Sequence, residues 1–135
     1  MALRERLRFA SFTFKRIPSG VATAEVLLEW VDGEAYLGTA QGVSSALGDL
    51  RIAADATLRA IADFSRGSAT FEIGGVKALR AFDANVVIVS VLYRRDGKEQ
   101  RLLGCHLADE DAMRSAVLAT LQATNRILGI ITRQA

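Results

Sequence analysis

The stretch VVIVSVLYRRDGKEQRLLGCHL (86–107) decides the fold once it is set against AEVLLEWVDGEAYLGTAQG (24–42). Each holds an Asp-Gly pair, Asp32-Gly33 or Asp96-Gly97, between two runs rich in β-forming residues. Asp-Gly in that setting is the strongest short-range hairpin signal, because a type I′ turn needs positive φ at both central residues. Each stretch leads to a helical segment, and the two segments share Ala-Thr-Leu-x-Ala, at 56–60 and 119–123. From Gly33 to Ala56 is 23 residues and from Gly97 to Ala119 is 22. Two landmarks that keep their separation across a whole unit indicate an internal duplication. The sequence therefore predicts an α+β fold, a β-β-β-α unit written twice with pseudo-twofold symmetry. A single domain spans 1–135, with repeats at about 8–64 and 70–128.

Periodicity supports the elements. Leu47, Leu50, Ala54, Leu58 and Ile61 form an apolar stripe on the first helix, opposite the alternating charges Arg51, Asp55, Arg59 and Asp63. Met113, Val117, Leu121, Thr124 and Leu128 form the second stripe, with Asp109 and Asp111 suited to its first turn and Gly129 to its C-cap. A change of parity between Phe9 and Phe12 predicts a bulge in the first strand. The first strand of the second unit runs from Thr70 through Phe82, interrupted at Gly74-Gly75. The strand at 24–30 is apolar on one face only. Its counterpart is apolar on both, Val87, Val89 and Val91 against Val86, Ile88 and Leu92. A strand with two apolar faces needs cover on both, and in so small a domain the second cover is expected to be another subunit.

Composition excludes several classes of function. The 135 residues are 50% hydrophobic and 24% charged, with net charge +2 and one cysteine. No internal disulfide can form, and a reducing, cytoplasmic setting is expected, with no signal peptide and no apolar run of the ~18 residues that a membrane span needs. Five cations against Glu5 make residues 1–16 locally basic. No aromatic-and-basic motif follows them, so a solvated strand face is preferred to nucleic-acid binding.

Reagents for catalysis are scarce. Cys105 and His106, the only residues of their types, are neighbours on a strand and point to opposite faces, so they cannot form a dyad. Cys105 reads as a small buried residue and His106 as a strand end, or as a residue lining a pocket. Neither a metal site nor a cofactor motif is legible, and a non-enzymatic role is expected. The loops before each helix, 38–49 and 104–111, are the candidate site. Glycines there allow close backbone approach, and helix-start N–H groups favour a carboxylate. The candidate ligand-binding residues are Gly42, Gly48, Asp49, Gly104, His106 and Asp109.

The order of strand, hairpin, Gly-containing loop and Ala-rich helix, twice over, with the second helix reading Ala-Thr-Asn-Arg-Ile-Leu (123–128), resembles the C-terminal regulatory domain of the α-isopropylmalate synthase and citramalate synthase family. Gly38, Gly42, Gly48 and Ala53 approximate that family's first Gly-rich stretch. Gly104, Asp109, Ala116 and Leu121 through Asn125 approximate the second. The Pro and Asp of the first stretch have no clean equivalents, although Asp49 could be a shifted counterpart. No catalytic barrel with a His-x-His motif accompanies the two units. The resemblance implies a homodimer that binds a small carboxylate or a branched-chain amino acid at the strand–helix loops. A purely structural dimerisation domain is the alternative. A hot-dog thioesterase shares the size, but two helices at equivalent repeat positions do not fit one central helix.

Overall fold

A computed structural model of the protein describes residues 7–108 and 111–134, with side chains described as far as Leu128. The order is β1 (Arg8–Arg16), β2 (Val21–Glu29), β3 (Ala35–Val43), α1 (Ala46–Ser65), β4 (Thr70–Ala81), β5 (Ala84–Arg95), β6 (Lys98–Leu107) and α2 (Ala112–Gln134). β1-β2-β3 and β4-β5-β6 are separate three-stranded antiparallel sheets. The fold is thus α+β, a β-β-β-α unit repeated. Its irregularities repeat too: β1 is bulged between Phe9 and Ser11, and β4 between Ile73 and Gly75.

The turns differ between the units. Asp96 (φ 53) and Gly97 (φ 75) form the expected two-residue turn with positive φ at both positions. Asp32-Gly33 does not: only Gly33 has positive φ, and the loop spans residues 30–34. Trp30 N–H donates to the Glu34 carbonyl, and the Asp32 carboxylate accepts the Glu34 N–H at 2.8 Å, so the Asp side chain closes the turn locally. The β4–β5 turn puts Phe82 (φ 52) and Asp83 (φ 59) in the left-handed region. Phe82 therefore sits in the turn and not at the strand end expected of it.

The helices pack against each other, α1 on β2 and β3 and against β4, and α2 on β5 and β6. Arg114 of α2 lies over the Phe9 ring of β1, 5.2 Å from its centre. The helices thus form a layer between the two sheets, unlike a single helix wrapped by one sheet. One core joins Ala22, Ala24, Val26 and Leu28 of β2 to Val87, Val89 and Val91 of β5 through both helices. Each fully buried Val or Leu contributes about 1.5–3 kcal/mol.

Contacts on both sides explain why α1 is buried well beyond one stripe. Leu47, expected in that stripe, is 54% exposed. It lies four residues before Arg51 and so falls on the charged row Arg51-Asp55-Arg59, which does face outward. Gly129 does not cap α2, because the helix continues to Gln134; neighbouring Leu128 is fully buried, and packing holds the helix through the glycine.

Candidate functional site

The Ala-Thr-Leu-x-Ala repeat marks where each helix meets its sheet. A Cβ added to Gly38 would overlap the Ala56 carbonyl oxygen and lie 2.5 Å from the Ala60 nitrogen. One added to Gly104 would overlap the Ala119 carbonyl and lie 2.7 Å from the Ala123 nitrogen. Helix and strand backbones touch at these two points, which only glycine on the strand and alanine on the helix permit. Gly104 is thereby committed to packing and is buried.

The start of α1 is furnished by the chain itself. Ser45 is the N-cap, and its hydroxyl accepts the Gly48 N–H at 2.9 Å. The Asp49 carboxylate accepts the Ser44 hydroxyl at 2.8 Å, the Ser45 N–H at 3.3 Å, and Arg16 Nη2 and Nε at 2.7 and 3.1 Å. Asp49 is only 4% exposed, although helix periodicity places it among solvated acids. Burial pushes its carboxyl up, but the Arg16 and Ser44 hydrogen bonds, the Arg16 charge and the Ser45 N–H outweigh burial and hold it below its ordinary value. The Ser45, Gly48 and Asp49 N–H groups at the helix start, expected to meet a ligand carboxylate, are thus already bound to Asp49 and Ser45. In the second unit the Asp111 carboxylate plays the capping role, accepting the Arg114 N–H at 3.2 Å.

Cys105 and His106 pair with Ile88 and Val87 respectively, so they point to opposite faces of the sheet. Cys105 is exposed, not buried as its type suggested, because no described residue covers its face of the sheet. His106 is also exposed, with Nδ1 2.9 Å from the Leu107 carbonyl oxygen. Asp109 lies outside the described residues. Among those described, no three His, Cys, Asp or Glu side chains gather as metal ligands.

Gly42 and Gly48 do share a cleft. It has a volume of about 400 Å³ and runs between the end of β3 (Gln41–Val43), the first turns of α1 (Gly48, Arg51, Ile52, Asp55) and β4 (Phe71–Ile73). Its buried floor includes Ile52 and Ile73, and its rim carries exposed Arg51 and Gln41. Asp55 lies one turn beyond Arg51 and pairs with Arg59 at 3.3 Å.

The second unit fills the equivalent place. Arg51 and Arg114 each stand five residues before the alanine that meets the strand glycine. Arg114 lies over Phe9, at the β1 bulge. Arg51 has no hydrogen-bond or ion-pair partner among the described residues and stands beside Ile73, at the matching bulge of β4. The shared arginine-to-alanine spacing is the sequence signal that identifies Arg51.

The outer faces of the two sheets differ. On the first, Ser11, Thr13, Lys15, Thr23, Glu25, Glu29, Thr39 and Gln41 surround Leu27 and Leu37, with Val21 and Val43 at one end. On the second, Leu79, Val86, Ile88, Leu92, Leu103, Cys105 and Leu107 lie together, with Lys77 beside Ile88 on the edge strand and Glu72, Arg94, Glu99 and Arg101 at one end. Leu103 is 66% and Leu107 51% exposed. Arg94 binds Glu72 at 3.0 Å and Glu99 at 2.7 Å. No described helix is long and apolar enough to cross a membrane. Compared with models of protein families and with curated proteins, the chain matches none, and the geometry of the cleft and of the sheet face carries the functional argument.

Proposed function

We propose that the chain is a homodimerising module that holds a small amino-acid-like molecule in the cleft between β3, α1 and β4. The observation that carries the ligand is the inequality of the two half-sites: Arg114 is spent on Phe9, whereas Arg51 stands free among the described residues beside an open cleft. A guanidinium binds a carboxylate through two parallel hydrogen bonds, Asp55 one turn away suits an ammonium group, and Ile52, Phe71 and Ile73 suit an apolar side chain. The volume lies at the lower end of the ~300–1,000 Å³ range typical of ligand sites. The resemblance to the synthase regulatory domain points to the same class of ligand and to a dimer, and nothing in the site suggests a reaction.

Thermal melts of the full chain against a panel of branched-chain amino and keto acids test this. A panel member that raises Tm in the wild type but not in Arg51→Ala supports the cleft. If no member shifts Tm, the structural alternative stands, a dimerisation domain without ligand, for which the uncovered second sheet is the supporting observation.

A further inference from the structure

The outer face of the second sheet has a ridge and a hollow at matching heights, and we infer that two copies pack there face to face about a twofold axis running along β5. This rests on the dimer proposed above and specifies its surface and register.

Strand pairing sets five levels across the sheet. Leu79, Val86 and Leu107 share one; Lys77, Ile88 and Cys105 the next; Gly75, Ser90 and Leu103 the third; Glu72, Leu92 and Arg101 the fourth; and Thr70, Arg94 and Glu99 the last, where Glu72 and Glu99 neutralise Arg94. β6 carries the bulk at the third level, Leu103 at 66% exposed, and β4 carries none. Gly75 adjoins the β4 bulge; its φ is not positive, and a Cβ there would meet nothing within 4 Å. No contact with a described residue requires a glycine at this position.

A twofold along β5 keeps each level and exchanges β4 with β6. It lays Leu103 of each copy into the hollow over Gly75 of the other. It sets Glu72 against the partner's Arg101 twice, and Arg101 has no partner among the described residues. It also stacks Val86, Ile88 and Leu92 on their own symmetry mates, as an isologous interface requires. The alternative axis, across the strands, would press the charged end onto Val86 and Leu79, whereas the axis along β5 brings Lys77 against the partner's Cys105 only at the edge strand β4, where its ammonium can reach solvent. Three strands about 4.8 Å apart, with about ten residues at about 3.3 Å each, give roughly 500 Å² per copy. The total of about 1,000 Å² sits at the threshold for a specific interface and well below the size of an obligate one.

Light scattering and sedimentation of the full chain across a concentration series test the register. Wild type should dimerise, and Gly75→Leu and Leu103→Asp should each weaken the dimer at least tenfold while leaving the helical circular dichroism unchanged. Glu72→Arg and Arg101→Glu should each weaken it, and the double exchange should recover most of the loss. A wild type that dimerises but ignores Gly75→Leu and Leu103→Asp would overturn this face while leaving a dimer standing. A double exchange no better than its singles would overturn the register. A monomer at every concentration would overturn the dimer itself.

Discussion

Replacing Gly104 by Ala tests the packing that defines the fold. The new Cβ would overlap the Ala119 carbonyl oxygen and lie 2.7 Å from the Ala123 nitrogen, both helix backbone. Neither atom can rotate away, so α2 as a whole must retreat by about an ångström to restore ordinary carbon–oxygen contact. That retreat loosens α2 on β5, β6 and α1 together. Overpacking of a well-filled core costs about 1–3 kcal/mol, and a contact this close lies at or beyond the upper end. Loss of glycine's freedom in the unfolded chain returns about 0.4–1 kcal/mol, leaving a net loss of about 2–3 kcal/mol. Urea denaturation at fixed protein concentration, with a slope of about 1–3 kcal/mol/M, should show the midpoint fall by about 1–2 M. Gly38→Ala should behave alike through Ala56 and Ala60. Gly42→Ala, which meets only the movable end of Ile52 at 3.4 Å, should cost less than about 1 kcal/mol. A Gly104→Ala protein within 0.5 kcal/mol of wild type, by the usual scatter of about ±0.5 kcal/mol for neutral changes, would refute the close contact between strand and helix.

Three further outcomes are expected. Asp49→Asn should cost about 1–2 kcal/mol at pH 7, since hydrogen bonds to a charged group are worth about 1.5–3 kcal/mol and burial offsets part of that. Because the folded-state pKa of Asp49 is lowered from 3.8, its stabilisation is complete above that value and is lost as pH falls through the folded pKa. Melts at pH 7 and pH 2.5 should therefore show the variant's deficit shrink in acid; a constant deficit would contradict it. Replacing Phe82-Asp83 by Asn-Gly should raise stability by about 1–2 kcal/mol in urea titrations, since a left-handed conformation costs an ordinary residue about that much. Arg51→Ala should leave the unfolding free energy in urea unchanged within about 0.5 kcal/mol while lowering affinity for any ligand of the cleft at least tenfold by calorimetry.

The duplication was legible because its landmarks obey local rules. Asp-Gly marks a turn between β-rich runs in both units, although only Asp96-Gly97 takes positive φ at both residues, and Ala-Thr-Leu-x-Ala recurs because a helix must pass close over a strand glycine in each unit. Other features depend on residues far apart in the chain. Asp49 follows the helix period of a solvated acid, and only the arrival of Arg16 from β1 makes it a buried anchor. The Phe82-Asp83 turn contradicts local preference, so no turn rule finds it. Leu47 satisfies the apolar stripe by a three-residue count and the charged row by a four-residue count, and a periodicity argument cannot choose between them. The candidate site was legible at Gly42 and Gly48 but not at Ile73 or Phe71, which β4 brings in from the other repeat.

The proposal of a self-associating module meets its most direct test in the mass of the full chain by light scattering across a micromolar dilution series. The account predicts a species of twice 14.6 kDa that dissociates on dilution. A mass that stays at 14.6 kDa throughout would contradict it and leave the apolar face of the second sheet without an explanation.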